Sequence, residues 1–322
     1  MNKPQKLDLV VLDSLSQKAK ATNRICLQEG CSENAIKSHI LQKKGILNNI
    51  SKDGHLYTLK FNLLNGLIEF KKIGINNAFT FKGFCNYHDT ILFDEIEKNE
   101  LNFNQYKTNV LLCYRAVLNE YRKKEVNIDT YNFALDSSIS NRLSKQNLYT
   151  LIENETLAKN DLNRLAGLVR SNIDTGNQTF HFSTRVIELV DLCTSSVFSS
   201  EMRDDFLIKK LSGKWTEPLN DAILNIIPHK GKTVIILGCH ESMLPKCEYF
   251  FSELAQDPLK FISDVLIKNI ETWVCSPQFY LSHIRLREKE FIKEFSAYPF
   301  TKDYKTPSKI FLFQPRLNNY RA

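Results

Sequence analysis

Two cysteines, Cys26 and Cys31, bracket the stretch CLQEGC, and Cys85 and His88 follow in CNYHD. This quartet constrains the fold more than any other feature of the chain. Two cysteines around a turn that carries Gly30 can present both sulfurs to one ion. Residues at i and i+3 on the first turn of a helix point the same way, so Cys85 and His88 can do the same from a helix start. Three thiolates and one imidazole form a tetrahedral structural zinc set. A helix N-terminus also favours the thiolate of Cys85. The competing reading is two buried thiols with two accidental neighbours. The other cysteines, Cys113, Cys193, Cys239, Cys247 and Cys275, are scattered. GCHESMLPKC gathers Cys239, His240 and Cys247, but without a fourth partner at fixed spacing it is not a metal site.

Charge is unevenly spread. Residues 1–88 hold 13 Lys+Arg against 6 Asp+Glu, whereas residues 89–322 hold 30 of each, so the whole excess of +7 lies in the segment that ends at His88. A basic segment attracts polyanions, of which nucleic acid is the commonest. A solvated lysine-rich surface is the plainer explanation. No apolar run reaches the length of a membrane span, and Asp8 and Asp13 break the N-terminal apolar stretch. A cytoplasmic protein without membrane attachment is expected, its cysteines reduced or bound to metal.

Apolar spacing predicts a helix over 104–121, with Tyr106, Val110, Tyr114, Val117 and Leu118 on one face, and another over 144–169. The period is lost in EVNIDTYNFALDSSISN, which reads as a linker. TFHFSTRVIELV alternates like a strand, and AILNIIP and TVIILG flank HKGK as a hairpin. A helix broken at Pro258 follows, and Ser276 is placed to cap a helix with Pro277 in its first turn. The expected fold class is α+β. A treble-clef zinc module at residues 1–100 is followed, over 101–322, by a helical connection and an α+β domain with antiparallel strands that regulates or interacts.

Knuckle, hairpin and a helix carrying the second ligand pair are the treble-clef order. With the strand KSHIL between the pairs, residues 23–97 resemble the HNH (ββα-metal) nucleases. The first pair is C-x4-C where that family has C-x2-C, and Asp89 stands where His or Asn is usual. The resemblance implies a metal-dependent endonuclease that hydrolyses phosphodiester bonds. His39 would be the general base, Asp89 would hold Mg2+ or Mn2+, and Cys26, Cys31, Cys85 and His88 would hold structural Zn2+. Asn76 or Asn77 would fix the histidine. Lys37, Lys43, Lys44, Lys71, Lys72 and Lys82 would track the backbone of DNA or RNA. By analogy, such a head joined to a second domain suggests an effector of antiviral (phage) defence, with a protein partner or a second copy bound through the C-terminal domain. The alternative is a non-catalytic zinc module that binds nucleic acid or protein, with His39 structural.

Overall fold

The computed structural model describes residues 6–62, 67–97, 100–200, 221–297 and 305–313. It mixes helices with antiparallel sheet and divides into two compact units. Residues 1–40, 60–69 and 79–178 make the first, and residues 41–59, 70–78 and 179–322 the second.

The first unit begins with helix α1 (Lys6–Ala21). Strand β1 (Lys37–His39) then pairs antiparallel with β4 (Thr80–Lys82), placing Lys37 opposite Lys82 and His39 opposite Thr80. Between them in sequence run β2 (His55–Asn62) and β3 (Leu67–Gly74). Helix α2 (Asn86–Phe93) follows β4 directly. Two long helices complete the unit, α3 (Tyr106–Leu135) and α4 (Lys145–Thr175), which pack against each other. Buried Val110, Leu111, Val117 and Leu118 of α3, and Leu162, Leu165 and Val169 of α4, supply the apolar contact.

Helix α3 runs fourteen residues past Tyr121, through most of the stretch expected to be a linker. Its second half is fixed by polar partners as well as by Tyr131, Ala134 and Leu135, which pack with Val11, Leu12 and Leu15 of α1 and with Leu148 of α4. Buried Arg122 donates to the carbonyl of Ile25. Asp129 takes Arg24 at 2.5 Å, Lys124 meets Glu155 at 3.0 Å, and Asn127 donates to Glu155 at 3.0 Å. Such pairs stabilise a helix without leaving a 3.6-residue apolar period. On α4 the apolar face keeps Leu148, which is buried, but not Leu151, which is 40% exposed.

The second unit is built on antiparallel strands. The sheet has the order β3-β2-β9-β6-β7-β8-β5, adding β5 (Phe180–Glu188), β6 (Leu192–Ser199), β7 (Asp221–His229), β8 (Lys232–His240) and the two-residue β9 (Val274–Cys275). Strands β7 and β8 are buried almost throughout, as central strands covered on both faces must be. They join through Lys230 and Gly231, both at positive φ (48° and 75°), the two-residue turn that suits the twist of a hairpin. Helices α5 (Leu244–Gln256) and α6 (Pro258–Lys268) meet at Asp257, whose carboxylate accepts from the Lys260 N–H at 3.0 Å and starts α6 beside Pro258. The Ser276 hydroxyl likewise accepts from the Phe279 N–H at 2.9 Å. Fully buried Trp273 anchors an aromatic cluster with Phe70 and with Phe291 of α7 (Glu288–Ala297), the ring centroids lying 5.6 and 6.0 Å from it.

Candidate metal centre

The first two ligands come from a tight loop closed on itself. Ile25 and Asn34 form an isolated antiparallel bridge, the Cys26 N–H donates to Glu33 at 2.9 Å, and the Cys31 N–H donates to Gln28 at 3.1 Å. Gly30 takes φ +74° just before Cys31, a conformation that costs glycine little and other residues more. The loop is tied to the chain that leads into α2, because Leu27 donates to Gly83 at 2.9 Å and Ile36 to Phe84 at 2.7 Å. Cys85 sits at the N-cap of α2 in extended conformation, and the Asp89 N–H donates to its carbonyl at 2.9 Å. His88 lies one turn further on.

These constraints gather Cys26, Cys31, Cys85 and His88 so that one ligand atom from each lies within 4.8 Å of every other. Nδ1 of His88 is 3.2 Å from the Cys85 sulfur and 3.5 Å from that of Cys26, and the Cys31 and Cys85 sulfurs are 4.0 Å apart. Tetrahedral zinc with Zn–S near 2.3 Å and Zn–N near 2.0 Å separates its ligand atoms by about 3.5–3.8 Å. The spacing therefore fits a Cys3His centre that can hold a metal ion such as zinc. One of the thiols is also prepared for it. The backbone N–H of His88 holds the Cys85 thiol below its ordinary range against the effect of burial, with help from Cys26, Cys31 and the Tyr87 backbone. At Cys31 a backbone hydrogen bond with Glu33 pulls the thiol down. Burial and the neighbouring Cys26 and Cys85 outweigh it and leave Cys31 raised. A cation among the sulfurs would reverse that penalty, since a coordinating thiol is deprotonated. Among the described residues this is the one group of His, Cys, Asp or Glu side chains placed to hold a metal. Cys239 and Cys247 are fully buried, and His240 instead bonds Ser242 at 2.8 Å.

The other expected site residues lie differently. Asp89 is next to His88 on α2, but its carboxylate meets Arg115 of α3 at 3.6 Å. The Arg115 side chain is 2% exposed, pairs also with Glu97, and lies over the Phe93 ring at 4.2 Å. Burial raises the Asp89 carboxyl above the ordinary range, while Arg115 and Ser38 oppose that rise. Ser38 neighbours this carboxylate without reaching hydrogen-bond geometry, and its hydroxyl and Asp89 Oδ1 are buried with no hydrogen-bond partner among the described residues. Successive side chains of a strand point to opposite faces. With Ser38 facing Asp89, half-buried His39 belongs to the other face of β1. Asn76 and Asn77 are exposed in the turn between β3 and β4. Among the lysines, Lys82 caps the end of α1, donating to the carbonyls of Ala21 and Thr22 at 3.2 and 3.1 Å.

Arg115 was not singled out in the sequence, although a signal was there. It is the lone charge in VLLCYRAVL, a run buried from Val110 to Leu118. A charge inside such a run needs a partner of opposite sign.

The four side chains thus form a Cys3His cluster that could hold a metal ion, at a helix start whose Asp89 pairs with buried Arg115. No family model, curated protein or solved structure matches this chain.

Proposed function

We propose that residues 23–97 act as a treble-clef zinc module similar in order to the HNH nucleases, with a structural metal, and that this module binds nucleic acid without cutting it. Support for the treble-clef reading comes from the succession of knuckle, paired strands β1 and β4, and helix α2 bearing the second ligand pair. The observation that carries the non-catalytic reading is the Arg115–Asp89 pair. A nuclease metal at Asp89 would share its carboxylate with a guanidinium that has almost no access to water. Two cations on one buried carboxylate repel each other strongly at low dielectric. The basic excess of residues 1–88 supports a polyanionic partner.

One observation favours the nuclease reading. His39 ends β1 one strand from the chain that becomes the metal-bearing helix, where a ββα-metal enzyme carries its base. The two readings separate in one experiment. Purified zinc-loaded protein is incubated with single- and double-stranded DNA and RNA plus Mg2+ or Mn2+, beside His39→Ala, with zinc content and melting temperature measured on both. The expected result is a gel shift that weakens steeply with salt, intact substrate, and the same behaviour in the variant. Cleavage by the parent that vanishes in a folded, zinc-loaded His39→Ala would establish the nuclease instead. No shift with any substrate would overturn nucleic-acid binding.

A further inference from the structure

The first unit has a surface groove that the metal centre does not use. It encloses about 320 Å³ where the knuckle loop meets α3 and α4, and its lining includes Tyr114, Tyr121, Asn163, Gly167, Arg170 and Asp174. That volume is at the small end of ligand sites. It suits a single ring system better than a whole dinucleotide.

Gly167 is the first pointer to a ligand. It stands inside a 31-residue helix, where glycine is unfavourable relative to alanine. A Cβ built there meets nothing within 4 Å. Packing within this chain therefore gives no reason for glycine, and the open space belongs to the groove.

Convergent polar groups are the second pointer. Arg170 donates through Nε to Asp174 at 2.7 Å and through a terminal nitrogen to Gln28 at 3.0 Å, which holds guanidinium and carboxylate side by side. Exposed Asn163 adds an amide from two turns earlier on the same helix. Asp174 offsets the charge of Arg170, and Glu29 adds a negative charge to the lining. This balance disfavours a phosphate. It suits a neutral ring with N–H donors on one edge and acceptors on another.

We propose that this groove binds a guanine base, with its ring face against Tyr121, its adjacent N–H groups on a carboxylate, and its carbonyl and ring nitrogen toward Asn163 and Arg170. A carboxylate accepts two neighbouring N–H groups at once, arginine donates a matching pair to the O6/N7 edge of guanine, and a tyrosine face stacks on a base. The wall of the groove is part of the knuckle, since the Gln28 N–H donates to the Cys26 sulfur at 3.5 Å. The base can belong to a free nucleoside or to a single strand. The assignment does not depend on the function proposed above.

The test is calorimetric titration of the full zinc-loaded chain with guanosine, adenosine and cytidine, and with two short oligonucleotides, one containing guanine and one lacking it. Gly167→Leu fills the groove with a good helix former and is expected to keep or raise the melting temperature. Guanosine is expected to bind the parent and to lose at least about tenfold in Gly167→Leu and in Asp174→Asn, the size of a lost charge-assisted hydrogen bond. Tighter binding of the guanine oligonucleotide than of guanosine would assign the base to a strand, and the reverse to a free nucleoside. The proposal is overturned by absent guanosine binding at millimolar concentration, by equal affinity for the three nucleosides, or by unchanged affinity in both variants. If Gly167→Leu fails to fold, Asp174→Asn decides, because Asp174 is exposed on the last turn of α4.

Discussion

Cys85→Ser is expected to abolish stoichiometric zinc and to unfold the knuckle that Cys26 and Cys31 hold. Structural zinc contributes an apparent binding free energy on the order of 10 kcal/mol in isolated finger peptides, and that binding energy is folding energy. The knuckle has little apolar packing to hold it. Between Asn23 and Asn34 only Cys26 is buried, so the loop depends on hydrogen bonds, on the ties of Arg24, Ile25 and Gln28 to α3 and α4, and on the metal rather than on apolar packing. A chelator should reproduce the variant's effect in the parent. Acid should do so as well, because thiolates and imidazole take up protons as pH falls and release the ion. Metal analysis and thermal unfolding followed by circular dichroism would check all three. Unchanged stability after complete removal of the metal would mean that the four side chains pack without needing it.

Arg115→Met is expected to cost about 3–5 kcal/mol, the usual price of removing one partner of a buried ion pair. The guanidinium is almost wholly enclosed, bonds Glu97, meets Asp89 at 3.6 Å and covers the Phe93 ring. Glu97 is 44% exposed and can turn to water, but Asp89 is 18% exposed and is left as an uncompensated, half-buried carboxylate. The double variant Arg115→Met with Asp89→Asn should therefore be more stable than Arg115→Met alone. Urea unfolding, with zinc content confirmed beforehand, would measure the difference. Additive losses would mean that Arg115 serves Phe93 and Glu97 and leaves Asp89 alone.

The Cys3His cluster was legible in the sequence because ligand chemistry is local. Cys26, Cys31, Cys85 and His88 are recognisable from residue type and spacing, and the backbone turns that gather them follow from Gly30 and from a helix start after Cys85. The hairpin at Lys230–Gly231, the helix break at Pro258 and the cap at Ser276 were legible for the same reason. What escaped depends on partners distant in sequence. The second half of α3 is held by Arg122 and Asp129, whose partners lie about a hundred positions earlier, and by Tyr131, Ala134 and Leu135, whose apolar partners come from α1 and α4. The pairing of Asp89 with Arg115, on another helix, has no local signal around Asp89. The groove at Gly167 is beyond a linear reading altogether, since the knuckle loop and two helices build it.

The most direct test of the structural zinc centre is X-ray absorption at the zinc edge on the purified chain, with total metal measured on the same sample. The expected result is one zinc per chain, with three sulfurs at about 2.3 Å and one nitrogen at about 2.0 Å. Absence of zinc from folded protein, or zinc with fewer than three sulfur ligands, would contradict a closed Cys3His centre built from Cys26, Cys31, Cys85 and His88.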